Sequence, residues 1–312
     1  MLVTLSLSTE KLMPKNQLPL VSIVIPNFNR GYCIEKTVQS VIDQTYQNWE
    51  LLVIDNNSTD DSVELINKFG DNRISITTID NNGIIAKSRN LGIKISKGKY
   101  VAFLDSDDWW SKIKLERSIL ELESGYDLIY HDLYLVTSNK RLQFFFRRLK
   151  TRSLKAPIFL DLLYNGNAIN NSSVVASRSI LNDIEGFSEE DALVGSEDFE
   201  GWLRFSAKSN KFSRIDLTLG YYWFGSGNMT SPTRSLSNLK NLKENYKSKL
   251  LEKFNNGLAP WMIYSLSRSY LGVSDYKNAS KFAKIGIFSE LGIWLKFKLF
   301  ITFIQSKFHF LH

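Results

Sequence analysis

A chain of 312 residues with a single cysteine, Cys33, cannot close a disulfide within itself, which suits a reducing, cytoplasmic compartment. Only three histidines are present, His131, His309 and His312, so a zinc site of the Cys/His kind cannot be assembled and any metal must sit on oxygen ligands. Long hydrophobic runs are missing too. The most apolar window, Phe288 to Ile304, is interrupted by Glu290, Lys296 and Lys298, short of the roughly 20 apolar residues that span a bilayer, and no transmembrane helix is expected. The N-terminus has no basic region ahead of its short apolar stretch, so residues 1–19 read as a lead-in and not a signal peptide. Neither G-x-G-x-x-G nor G-x-x-x-x-G-K-[ST] occurs, which removes the dinucleotide fingerprint and the P-loop.

What is present is an ordinary globular composition, 43% hydrophobic and 23% charged, with a net charge of +7. That charge is unevenly placed. Residues 240–312 hold 12 Lys/Arg against 4 Asp/Glu, and the first 239 hold 27 against 28. A neutral body with a basic tail argues against a nucleic-acid-binding module.

The first half alternates strand and helix signals. VSIVIP (21–26), ELLVID (50–55), ISITTID (74–80) and YVAFLD (100–105) are β-branched, mostly apolar runs of the kind buried on both faces of a parallel sheet. Between them Ile34, Val38, Val41 and Ile42 share one helical face, as do Val63, Ile66 and Phe69, with capping residues expected in Ser58 to Asp61. This spacing predicts an α/β, doubly wound, mostly parallel sheet, whose ligands bind beyond the carboxyl ends of the strands. Farther on, DLIYHDLYLV (127–136) and RLQFFF (141–146) flank Ser138-Asn139-Lys140 as a candidate hairpin, SVVAS (173–177) and Phe212 to Phe224 read as strands, and Glu197 to Ala207 reads as an amphipathic helix. From about 235 the chain reads as helical, with a helical hairpin over Pro260 to Ile287 turning near Gly272 to Asp275.

The segments after strands one, two and four are rich in acids and amides: Pro26-Asn27-Phe28-Asn29-Arg30, Asp55-Asn56-Asn57-Ser58, and Asp105-Ser106-Asp107-Asp108. Three carboxylates in four residues repel one another, and a divalent cation with oxygen ligands offsets that repulsion. The bland alternative is an acidic helix cap ahead of Trp109-Trp110.

VSIVIPNFNR (21–30), QTYQNWELLVIDNNSTDDS (44–62), NNGIIAKSRNLGIKISKGKYVAFLDSDDWW (81–110) and SEDFEGWLRF (196–205) together resemble the family 2 glycosyltransferases, inverting enzymes of the GT-A fold that use nucleotide-sugar donors. The resemblance spans roughly residues 20 to 225. It implies a GT-A domain over 20–234 followed by a basic helical segment over 235–312. It further implies that Pro26, Phe28 and Asn29 contact the nucleotide, that Asp55 reads a uracil edge, and that Arg89 approaches the base or diphosphate. Asp105 is implied near the ribose and the metal, and Asp107 on the metal, Mn²⁺ or Mg²⁺. Glu197-Asp198 matches the family's catalytic pair, with Asp198 the general base that takes the acceptor hydroxyl's proton. Asn56, Asn57, Ser58 and Gly83 read as turn and backbone-geometry residues.

Family members often carry a Tyr-Arg-x-His element after the base, where this chain has Tyr222-Trp223-Phe224-Gly225. Acceptor stacking by the aromatic pair, or phosphate contact from Arg234 or the basic stretch 140–155, are the substitutes the sequence offers. The resemblance implies transfer of a sugar, from UDP most readily, to a glycan or lipid-linked acceptor in cell-surface polysaccharide synthesis. The aromatic, lysine-rich tail fits peripheral contact with an anionic membrane. A nucleotide-sugar-binding pseudoenzyme and a sugar nucleotidyltransferase are the competing readings; the second wants a Gly-rich basic loop after strand one, which Pro26 to Asn29 does not supply.

Overall fold

The apolar runs form the strands expected of them, and a computed structural model describes residues 18–137, 147–225, 231–289 and 292–308. The first half runs β1 (Val21–Asn27), α1 (Ile34–Ile42), β2 (Trp49–Asp55), α2 (Ser62–Asn67), β3 (Ile74–Thr78), α3 (Ile85–Ile95) and β4 (Tyr100–Phe103). Then come β5 (Trp109–Trp110), α4 (Lys114–Glu123), β6 (Leu128–Val136), β7 (Arg148–Leu149), α5 (Ile158–Asn165), β8 (Val175–Ser177), α6 (Arg178–Asp183), α7 (Glu197–Lys208) and β9 (Phe212–Trp223). The remainder is helical: α8 (Pro232–Asn245), α9 (Lys247–Lys253), α10 (Pro260–Gly272), α11 (Tyr276–Ile287) and α12 (Ile293–Phe308).

All the strands join one sheet in the order β3-β2-β1-β4-β8-β6-β9-β5, with β7 paired to β6. β3, β2, β1 and β4 are mutually parallel, while β8 enters antiparallel between β4 and β6. The strand order reverses between β1 and β4, which opens a crevice at their carboxyl ends.

Side-chain alternation along the strands divides the core in two. Val24, Leu52, Ile54, Val101 and Phe103 face α3, α5 and α7, where Trp202 and Phe205 are fully buried. Val21, Ile23, Ile25, Leu51 and Val53 face α1 and α4 through Ile34, Val38, Val41, Leu115 and Ile119. β1, β2 and β4 are buried on both faces as their composition predicts. β3 is only half-buried, because an edge strand has one flank open to solvent. The C-terminal helices are built onto the first core, contributing Leu239, Leu242, Leu250, Met262 and Ile263.

Three local expectations need correction. Trp109-Trp110 is strand and not the start of a helix, so the acidic run before it is no helix cap; the next helix begins at Lys114. Asp61 precedes α2 without a side-chain cap bond, and Asp60 accepts from the Ser62 and Gly31 backbone N–H groups instead. β6 pairs antiparallel with β7 at Arg148–Leu149, downstream of the expected partner strand 141–146, which lies outside the described residues together with 138–140, residues 1–17, His309 and His312. The helical hairpin is where its sequence puts it, as α10 and α11.

Candidate active site

The crevice at the carboxyl ends of β1 and β4 holds a cavity of about 290 Å³. β1 brings Pro26, the loop after it Arg30, and the loop after β4 Asp105 and Asp107. α3 brings Arg89, the amino end of α7 Glu197 and Asp198, and the far end of β9 Tyr222 and Trp223.

Arg89 organises this cavity. It is 4% exposed, and one guanidinium nitrogen donates to Glu197 Oε1 at 2.6 Å while the other donates to Asp105 Oδ1 at 2.8 Å. With its amide turned so that oxygen meets the guanidinium, Asn171 accepts from Arg89 Nε and Nη2 at 3.2 and 3.3 Å. The loop after β4 and the start of α7 are thereby tied through one side chain. Such charge-assisted, forked bonds are the strong kind, and a buried pair of this sort tolerates loss of neither partner.

The neighbouring Asn90 performs a second tie. Its amide bonds both the N–H and the carbonyl of Phe187, each at 2.8 Å. Phe187 packs edge-on against Trp202, with ring centroids 5.3 Å apart, and so seats α7. Gly201 in α7 has no side chain because a Cβ there would lie 2.5 Å from the Phe187 ring. Gly92 lets α3 approach β1, since a Cβ would lie 2.4 Å from Val24 Cγ1. The sequence Arg-Asn-x-Gly thus encodes one clamp, one loop anchor and one close contact along α3.

The carboxylates are electrostatically strained. Burial, with the Glu197 charge adding to it, pushes Asp198 up to about 7, and Arg89 works in the opposite direction. Asp107 is raised by burial and by Asp105, against the pull of Arg30, whose Nε stands 3.5 Å from Asp107 Oδ2. Asp108, behind the wall and 1% exposed, is raised well above the usual carboxylate range by burial and by Asp105 and Asp107, while its Oδ1 accepts the Trp223 N–H at 2.9 Å. The same negative field helps burial push the Tyr222 hydroxyl up to about 12.

Of the residues singled out in the sequence, Pro26, Arg89, Asp105, Asp107, Glu197 and Asp198 are brought into one wall. Glu197 has both oxygens engaged, one by Arg89 and the other by the Gly195 N–H at 2.6 Å, so it positions its surroundings while Asp198 faces the cavity. Asp55 lies beneath the β1 and β2 ends, 2% exposed, accepting from Asn27 Nδ2 and Ser58 Oγ on one oxygen and the Ser58 N–H on the other. Phe28 stands half-exposed on the loop beside it. Asn29 takes a left-handed φ of 50° and binds Thr59 N–H through its side-chain oxygen. Asn57 and Gly83 also have positive φ, as expected of turn residues. His131 is fully buried and held neutral by burial and Lys114, far from a catalytic role.

Three contributors went unassigned in the sequence. Arg30 follows a strand end and was recoverable from that position. Asn171 and Ser172, which accepts the Asp105 N–H at 3.1 Å, carry no motif, and only the antiparallel insertion of β8 brings their 3₁₀ turn beside the acidic loop.

The wall and the groups behind it present Asp105, Asp107, Asp108, Glu197 and Asp198 against Arg30 and Arg89, an excess of negative charge at a place shaped for a ligand. Among the described residues no three acidic, His or Cys side chains converge as a metal cage. This donor set fits a hard divalent ion held by one or two carboxylates and completed by a substrate's phosphates, the arrangement usual for Mg²⁺.

Comparisons with known proteins agree with this geometry. Residues 22–181 match the family model described as Glycosyl transferase family 2. The chain is 30% identical over 267 residues to the Escherichia coli UDP-Glc:alpha-D-GlcNAc-diphosphoundecaprenol beta-1,3-glucosyltransferase WfgD, covering 84% of this chain and 98% of that protein. It is 32% identical to E. coli WfaP, described by the same activity, over 68% of this chain and 80% of the relative. Among solved structures, S. aureus TarS 1–349 in complex with UDP superposes with a TM-score of 0.53 at 18% identity, covering 92% of this chain and 88% of that one, a likeness of fold. A strand order that opens a crevice at β1 and β4, acids converging there from β4 and α7, and a family match across half the length lead to one conclusion: this chain belongs to the family 2 glycosyltransferases.

Proposed function

We propose that the protein transfers a sugar, with inversion, from a UDP-sugar to a lipid-linked glycan acceptor during assembly of a cell-surface polysaccharide. The observation carrying this reading is Asp198: a half-buried carboxyl in the cavity wall, pushed up to about 7, next to Glu197, which Arg89 ties to the Asp105 loop. A base of that affinity takes a proton from a hydroxyl near neutral pH. As the acceptor oxygen bonds to C1 of the sugar, the C1–O bond to the diphosphate breaks and the acceptor proton passes to Asp198.

Donor and acceptor classes follow those of WfgD and WfaP, whose names specify UDP-Glc and alpha-D-GlcNAc-diphosphoundecaprenol. The divalent ion, Mn²⁺ or Mg²⁺, would be held by Asp107 with Asp105 beside it; when bound it supplies Lewis-acid stabilisation of the departing diphosphate. Arg30, whose nearest carboxylate contact is 3.5 Å, is suited to share that diphosphate, standing in for the missing Arg and His after Tyr222. Tyr222 and Trp223 line the cavity and are the aromatic groups available to the acceptor. A lipid-linked acceptor calls for peripheral residence at a membrane, and among the described residues no helix is long and apolar enough to cross one.

Two substitutions test the reading. Asp198→Asn lowers transfer by about 10²- to 10⁴-fold with UDP affinity retained, the size expected for loss of a general base. Asp107→Asn removes the stimulation by Mn²⁺, measured as UDP release across a metal titration. Full turnover by either variant would sink the role given to that residue.

A further inference from the structure

α12 is amphipathic the wrong way round for a helix that simply packs on its own protein. Its inward stripe is Leu299, Thr302 and Ser306, all at most 1% exposed, and two of the three are hydroxyl residues that donate back to the helix carbonyls of Lys298 and Phe303. Its outward stripe is Ile293, Trp294, Phe297, Phe300, Ile301 and Phe308, exposed at 82, 75, 53, 49, 39 and 67%. These positions recur at helical spacing, so the apolar groups form a continuous band along one side. Phe288, at the end of α11 and 86% exposed, extends it. Exposed apolar surface of this continuity marks an interaction site.

Its surroundings are basic. Residues 254–308 hold seven Lys/Arg against two Asp/Glu. Lys298 and Lys307 are exposed beside the band, and the Lys284 and Lys307 ammonium groups lie 5.5 and 6.0 Å from the Phe303 ring. A second copy of the chain docking on this band would bring lysines against lysines, which disfavours the pairing. An anionic bilayer takes the apolar band into its acyl boundary and the lysines into its headgroups. At about 1.5 Å per residue, α12's 16 residues are too short to span a core of about 30 Å.

We infer that α12 lies in the plane of an anionic membrane, inserting the Ile293 to Phe308 band. This deepens the proposal of a lipid-linked acceptor and rests on it only for the reason to be at the bilayer; the band itself is a property of the fold. The acceptor's sugar would then meet the cavity while its lipid stays in the leaflet.

The test is flotation of the full chain with vesicles of phosphatidylcholine alone or mixed with phosphatidylglycerol. Expected is co-flotation with the anionic vesicles, weakened by salt, and at least about tenfold weaker binding for Trp294→Ser/Phe297→Ser/Phe300→Ser. Lys296→Gln/Lys298→Gln/Lys307→Gln should lose several-fold and most of the salt dependence. Both variants change half-exposed or exposed positions, so thermal midpoint and transfer to a soluble acceptor analogue stay near the parent's. The inference is overturned if the parent chain does not float, if the serine variant floats equally, or if light scattering shows a dimer that the serine variant dissolves with vesicle binding unchanged. Failure of transfer to the soluble analogue in the parent would instead fault the assigned reaction and leave the docking result standing.

Discussion

Asp198 should make the enzyme less stable than it need be, and the size of that cost follows from its surroundings. Burial and the Glu197 carboxylate raise it from 3.8 to about 7. In the unfolded chain it ionises near its ordinary value, so between about pH 4 and pH 7 the folded state holds a proton that the unfolded state has released. Stability contributed by this group is therefore complete below pH 4, is lost as pH rises through 7, and is absent at pH 8. Three pH units at about 1.4 kcal/mol each give a ceiling of about 4 kcal/mol. Asp198→Asn carries no charge and escapes the penalty. We expect the variant, without nucleotide or metal, to melt several degrees above the parent at pH 8 and at the same temperature below pH 4, measured by calorimetry across the range. The parent's kcat/KM should follow the carboxylate fraction, about a tenth of its plateau at pH 6 and about nine tenths at pH 8. A variant that melts at or below the parent at pH 8, or a rate flat between pH 5.5 and 8.5, would refute the electrostatic argument for this base.

Arg89→Met leaves the buried Glu197 and the half-buried Asp105 without their shared cation and should cost about 3 kcal/mol in urea unfolding, with transfer lost even where the chain stays folded. Gly92→Ala forces α3 off β1 against Val24, and about 1–3 kcal/mol of destabilisation is expected by the same assay. Lys114 is fully buried over the Trp110 ring at 3.9 Å, and burial lowers it well below the usual lysine range. An amine lowered on folding costs stability at every pH below its ordinary 10.5, so Lys114→Met should raise the melting temperature at pH 7, with the gain shrinking towards pH 10.

Some parts of this site are legible because they are local. The clustering of Asp105, Asp107 and Asp108 after an apolar run identifies a strand end with a charge problem, and the parallel-sheet pattern says which end of the sheet binds ligands. Glu197-Asp198 at a helix start is equally visible. Arg89 could be named as a site residue from the family pattern, yet nothing in its sequence neighbourhood says that its charge is spent on two acids, 16 and 108 positions away. Asp55 shows the converse: a conspicuous acid at a strand end whose oxygens are engaged by Asn27 and Ser58. Asn171 and Ser172 are ordinary polar residues until β8 inserts beside β4.

The sequence by itself determined the alternation of strands and helices, the acidic loops and the basic tail, since periodicity, turn chemistry and charge act over a few residues. Tertiary structure alone decided which charges meet, because pairing, burial and the resulting proton affinity depend on groups far apart in the chain. It raised the Asp198 carboxyl towards neutral pH and made Arg89 a clamp with Glu197 as its partner. It also turned the apolar side of α12 outward, since a helix's hydrophobic stripe is written in the sequence but the direction it faces is set by what the rest of the fold leaves for it to pack on.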